Sequence, residues 1–207
     1  MKWFKNLKAH FPAARTELAQ VDTPPIDHRR TALGANQIIC DCCGVDFCDL
    51  LSIGYAAPED WPHAADTENH HTVDLNGGDF LTQDLCRLGD RRFIRCVLTL
   101  PLVGHEAPFL IGVWVEVNES DFLNFVREMP DGRQGSMVMM FCTLANIVPP
   151  FRAKLPCVMQ PRNDFHRPVV HVAIEEDPLY AAQIDGLDFD QLLQILGAHG
   201  HFVTNTA

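Results

Sequence analysis

"RRFIRCVLTLPLVGHEAPFLIGVWVEV", residues 91–117, holds two apolar runs around the loop-forming segment "GHEAP". In the second run Ile111, Val113, Val115 and Val117 fall on one side, and Leu110, Gly112, Trp114 and Glu116 on the other. Two strand-like runs flanking a Gly- and Pro-bearing loop predict an antiparallel hairpin. Apolar residues on both faces of its second strand predict a central position, covered on each side.

Outward from this pair, the downstream chain reads as alternating elements. Asn118 is a good N-cap and Asp121 suits the first helical turn, so a helix begins there, buries Phe122, Phe125 and Val126, and closes at Pro130 and Gly132. "SMVMMFCTLANIV" reads as a strand entering a turn at Pro149 and Pro150. "LPCVMQPR" and "RPVVHVAIE" form a second hairpin, with His171 as a partly buried, hydrogen-bonded residue. A short helix over "DPLYAAQID" follows, then one over "DFDQLLQILGAHG" with Asp188 as cap and Phe189, Leu192, Leu193 and Leu196 inward. Upstream, "NQIIC" and "LLSIGYA" are short β-like runs and "DFLTQDLCRL" is a weaker one. The resulting class is α+β, a mainly antiparallel sheet with helices packed to one side.

Residues 1–35 differ from the rest. Trp3, Phe4, Leu7 and Phe11 share one helical face while Lys2, Lys5 and Lys8 lie off it, which predicts an N-terminal amphipathic helix. "VDTPPIDHRRTALG" then reads as a linker, because paired prolines sustain neither helix nor central strand. The expected organisation is this helix and linker over 1–35 and a single α+β domain over 36–207.

The 207 residues are 47% hydrophobic, enough for a core without disulfide staples. No apolar run is long enough for a membrane span, and the N-terminus lacks the apolar core of a secretory signal, so a soluble cytoplasmic protein with reduced thiols is expected. The net charge is −11. Six basic against three acidic side chains in residues 1–35 leave −14 on residues 36–207. Such a body repels phosphate backbones, which argues against nucleic acid and favours a basic protein partner.

"CDCCGVDFCDL", residues 40–50, packs four of eight cysteines together. Cys40 and Cys43 have the C-x-x-C spacing at which two thiolates on a tight turn reach one Zn²⁺, and Gly44 suits a turn needing positive φ. A knuckle supplies two ligands of four. Cys48 is a candidate third and Cys86 could arrive from the "QDLCRL" strand, while Cys42, adjacent to Cys43, is expected to point elsewhere. Reduced cysteines without metal are the alternative. A thioredoxin-type redox pair fits poorly, since no helix starts after Cys43 and Asp41 adds a negative charge.

"CDCCG", "YAAPEDW" at 55–61, the long stretch from Asp84 to Phe122 and "DPLYAAQIDGLDFDQLLQI" at 177–195 resemble a bacterial domain-of-unknown-function family, number 2199. The resemblance spans about residues 38 to 196 and implies domain extent rather than an activity. It implies a His three residues after the glycine of the knuckle, where this chain has Phe47, and a cysteine at the place of Cys86.

No phosphate loop, nucleophile elbow or dinucleotide fingerprint is present. The function expected is therefore a non-enzymatic protein-binding domain, with zinc as the candidate for fixing its N-terminal turn; one specialised version is an immunity-type protein whose acidic face blocks a basic toxin. The rival is a metal-dependent or thiol enzyme using Cys40, Cys43 and Cys86.

Overall fold

The computed structural model describes residues 39–66, 74–75, 77–151 and 154–202, with the side chains of Phe47 and Cys48 outside that set. The amphipathic helix and linker expected over 1–35 also lie outside it.

Eight strands form one sheet: β1 (Ser52–Gly54), β2 (Phe80–Leu81), β3 (Leu85–Leu88), β4 (Arg91–Leu100), β5 (Phe109–Val117), β6 (Met140–Leu144), β7 (Pro156–Gln160) and β8 (Val169–Val172). The predicted hairpin is its spine. β4 pairs antiparallel with β5 from Arg92↔Val117 to Leu100↔Phe109. β5 continues to β6, β6 to β7 and β7 to β8, all antiparallel. β8 then returns to β4 in parallel through Val97↔Val169 and Leu98↔Val170, closing five strands into a barrel. Two flaps extend it. β1 lies parallel to β5, and the β2–β3 hairpin continues the free part of β4.

Alternation along β4 and β5 decides what each face buries. Ile94, Cys96, Leu98 and Leu100 turn into the main core with Ile111, Val113 and Val115. Phe93 and Trp114 turn the other way, into a second cluster with Leu81, Cys86 and Ala145. Of the β5 residues on that second face, Trp114 is buried while Leu110, Gly112 and Glu116 are half-buried, so the strand predicted to be covered on both faces is fully covered on one and partly on the other. Burying each such Leu, Ile, Val or Phe side chain contributes about 1.5–3 kcal/mol, so the hairpin is the energetic centre of the fold.

Three α-helices are found among the described residues: α1 (Glu119–Glu128), α2 (Pro178–Asp185) and α3 (Phe189–Ala198). α1 starts where the cap predicts, with Asn118 Oδ1 accepting from Asp121 N–H at 2.9 Å, and it ends in a 3₁₀ turn and the left-handed Gly132. α2 starts at the Asp177 cap. α3 opens with a capping box: Asp188 accepts from Gln191 N–H while the Gln191 side chain accepts from Asp188 N–H. Its inward face differs by one residue from the expectation. Ile195 is buried with Phe189, Leu192 and Leu196, and Leu193 is only half-buried. His171 is exposed on β8 rather than partly buried, because it points away from the barrel interior between Val170 and Val172. No helix of the described residues is long and apolar enough to cross a membrane.

Candidate metal centre

The chain enters the described region through a knuckle. Cys40 N–H donates to the Val45 carbonyl at 2.9 Å and Gly44 N–H to the Cys40 carbonyl at 2.8 Å, folding residues 40–45 back on themselves. Ile39 and Asp46 pair across its base. Gly44 has φ +69°, a left-handed turn position with open space where a Cβ would be, so conformation rather than crowding demands glycine. Cys40 is buried in the main core beside Leu50, whereas Cys42 and Cys43 are exposed.

The other half of the site comes from the opposite end of the chain. Beyond α3, His199 and His201 N–H groups both donate to the Leu196 carbonyl, and Gly200 has φ +83°. This turn drives the chain back toward the knuckle, where Asp41 N–H donates to the Phe202 carbonyl at 2.9 Å. His201 Nδ1 thereby lies 3.7 Å from Cys40 Sγ, 3.9 Å from Cys42 Sγ and 3.7 Å from Cys43 Sγ. The ligand atoms of Cys40, Cys42, Cys43 and His201 all fall within 4.8 Å of one another, close enough to hold a metal ion.

Three thiols and an imidazole are a donor set that a tetrahedral ion such as zinc takes. Tetrahedral Zn–S and Zn–N bonds of about 2.3 and about 2.0 Å set sulfur–nitrogen edges of about 3.5 Å and sulfur–sulfur edges of about 3.7 Å. The three Sγ–Nδ1 distances are near that edge; the Cys40–Cys42 sulfurs, 2.9 Å apart, are closer than it. Either sulfur of that pair could donate to the other. Burial opposes ionisation of Cys40, but hydrogen bonds from the Cys42 side chain, from the backbone at Cys42 and Cys43 and from His201 outweigh it and lower its pKa to about 6. Cys42 is pushed up to about 11, first by its hydrogen bond to Cys40 and then by burial and by Cys43. Its Sγ also lies 3.0 Å from the Gly200 carbonyl.

Of the cysteines the sequence singles out, Cys40 and Cys43 are brought together. Cys86 is not with them: it is fully buried against Phe93 and Trp114 in the second cluster, and burial pushes its thiol up to about 12. Cys48 falls in the 3₁₀ turn Phe47–Leu50 just after the knuckle, and its side chain is outside the described set. The expectation that Cys42 points elsewhere is corrected. Neighbouring side chains diverge on a strand, but residues 41–43 form a turn, and there Cys42 and Cys43 both face His201. His201 was not foreseen at all. Its only local sign is its place one residue past a glycine at a helix end.

The chain belongs to the family described as an uncharacterized protein conserved in bacteria, domain of unknown function 2199, whose model matches residues 39–187. No curated protein and no solved structure matches it. The matched span includes the three cysteines of the cluster and ends before His201.

Proposed function

We propose that Cys40, Cys42, Cys43 and His201 hold one structural Zn²⁺, and that the chain is a non-catalytic binding domain whose two ends the metal ties together. One observation carries this reading: a Cys₃His set converges from positions 158 to 161 residues apart in the chain. Four protein ligands fill a tetrahedron and leave no open position for substrate, which favours a structural over a catalytic metal. The rival reading, a metal-dependent or thiol enzyme, needs an open coordination position, which a complete Cys₃His set does not leave. The −14 charge on residues 36–207 supports a basic protein as the bound partner, and one cytoplasmic folding unit over that range is consistent with thiols kept reduced.

Elemental mass spectrometry of untagged protein, with thiol titration before and after chelation, tests the metal. One zinc per chain, with three thiols released by chelator and none bound in His201→Ala, is the expected result. Metal-free protein with all thiols reacting equally after denaturation would overturn it. For the partner, a salt-sensitive basic protein retained from native lysate is expected; none at either low or high salt would remove that half of the reading.

A further inference from the structure

The strands β6, β7 and β8 alternate between the barrel interior and its outer surface. Met140, Cys142, Cys157, Met159, Val170 and Val172 turn into the core, so the residues between them face outward. The register sets Phe141 beside Val158 and Val158 beside His171 as one outward row. Gln160 beside Val169 forms the next row, and one further step of the β6 register brings Met139 to its end. Not one Asp, Glu, Lys or Arg occurs in the three strands, although such residues make up 21% of the chain.

This wall is uncovered. Phe141 is 84% exposed, Met139 63%, and the adjoining Val138 82%. An antiparallel sheet that turns one face to water ordinarily carries polar side chains there, and exposed strands are commonly protected by charge. Three large apolar side chains exposed within four residues, with no charge among the strands around them, make the kind of patch that marks a contact surface.

Charge and symmetry together point to its occupant. A basic partner is drawn to carboxylates and finds none on this wall, so it fits the acidic remainder of the surface instead. Two chains of net charge −11 repel each other over most of their surfaces, and here they can meet without bringing carboxylates together. The wall is also complementary to itself. Val158 is half-buried between the exposed rings of Phe141 and His171. A two-fold axis running above β7 and along it lays each Phe141 against the partner's His171 and closes the two Val158 side chains on each other.

We propose that the chain associates with a second copy through this wall, sheet face to sheet face. Three short strands offer a contact about 15 Å across, at the small end of protein interfaces, so the association is weak and concentration-dependent. It does not depend on the metal, and it uses a different surface from the basic partner.

The test is sedimentation velocity on the full chain from about 10 to about 500 µM, in about 0.05 M and about 0.5 M NaCl. Monomers should give way to dimers as concentration rises. Association should be about threefold tighter or more at the higher salt, because screening relieves the repulsion between the acidic bodies. Salt should weaken a basic partner's contact, so the two surfaces respond in opposite directions. Phe141→Ala should weaken association about tenfold or more with the melting transition retained, and Phe141→Trp should restore it. Val158→Glu and Val158→Lys each place like charges face to face across the axis and should each abolish association, while an equimolar mixture of the two folded variants should associate again. A chain that stays monomeric throughout, whether its wall is bare or held by another segment of the chain, overturns the proposal. So does a dimer unaffected by Phe141→Ala, or a mixture of folded Val158 variants that does not recover.

Discussion

Cys157 and Cys40 are equally buried, each 1% exposed, yet their thiols are driven in opposite directions. Inside the barrel, burial raises Cys157 to about 12, and its Sγ–H donates to the Leu155 carbonyl at 3.3 Å. Cys142 sits directly across from it on β6 and is likewise raised to about 12, by burial first and then by Cys157 itself. In the knuckle, burial also opposes ionisation, but hydrogen bonding with Cys42, His201 and the nearby backbone outweighs it, and the Cys40 pKa falls to about 6. Burial alone holds a thiol protonated; hydrogen bonds around the sulfur can outweigh burial and favour the thiolate.

Alkali should break the barrel side of this comparison first. Cys86, Cys142 and Cys157 have folded pKa values near 12 against 9.0 for the free thiol. A raised folded pKa contributes stability that is complete below 9.0 and is lost as pH rises toward 12, since the unfolded thiol ionises while the buried one cannot. By about pH 10.5 the loss is roughly 2 kcal/mol per thiol before discounting for solvent screening. Urea titrations from neutral to alkaline pH, with thiolate absorbance followed in parallel, should show barrel thiolates appearing only as the chain unfolds. Thiolates that appear in the folded state would mean the barrel is open to water.

Chelation should break the knuckle side and leave the barrel thiols protected. A bound ion at a thousandfold excess over its dissociation constant adds about 4 kcal/mol, and removal by chelator or by Cys40→Ser should forfeit that amount. Cys86→Ala should keep its zinc. Metal loss from Cys86→Ala, with the fold intact by circular dichroism, would return Cys86 to the ligand set.

A smaller effect separates the two sets further. Cys96, fully buried in the barrel, is pushed well above 9.0 by burial first and by its cysteine neighbours next. Cys96→Ser places a more polar group in the same space at a cost of about 1–3 kcal/mol, with metal content unchanged. Equal loss of zinc would show that the barrel and the knuckle are one cooperative unit.

What the sequence revealed follows the same local-versus-distant divide. The β4–β5 hairpin, the Asn118 and Asp188 caps and the Gly44 turn are written in residues a few positions apart, and all three kinds of signal appear in the structure. Barrel closure is not written locally. It depends on Val97 meeting Val169 in parallel, a pairing that alternation cannot announce. The candidate site divides similarly. Cys40 and Cys43 are visible as a spacing, but Cys42 was judged by strand geometry in a segment that is a turn, and His201 has no spacing rule connecting it to the knuckle. The residue implied by family resemblance at Phe47 is absent here, and a histidine from the other end of the chain stands near the sulfurs instead.

The helix that delivers His201 offers the finest test of whether that distant ligand is placed by a rigid element. α3 begins at the Asp188–Gln191 capping box and buries Phe189, Leu192, Ile195 and Leu196 before its end turns into the ligand. Asp188→Ala removes one side of the box and should cost about 1 kcal/mol. The four buried side chains still fix the helix against the core, so His201 should keep its position and the metal affinity should change little. Competition with a zinc-binding dye, beside a urea midpoint, reads the two effects separately. A stability loss with unchanged affinity means core packing sets the ligand's place. A large affinity loss would mean that the helix start sets the register of its far end, and that the two ends of the chain meet through α3 as a lever rather than through the core.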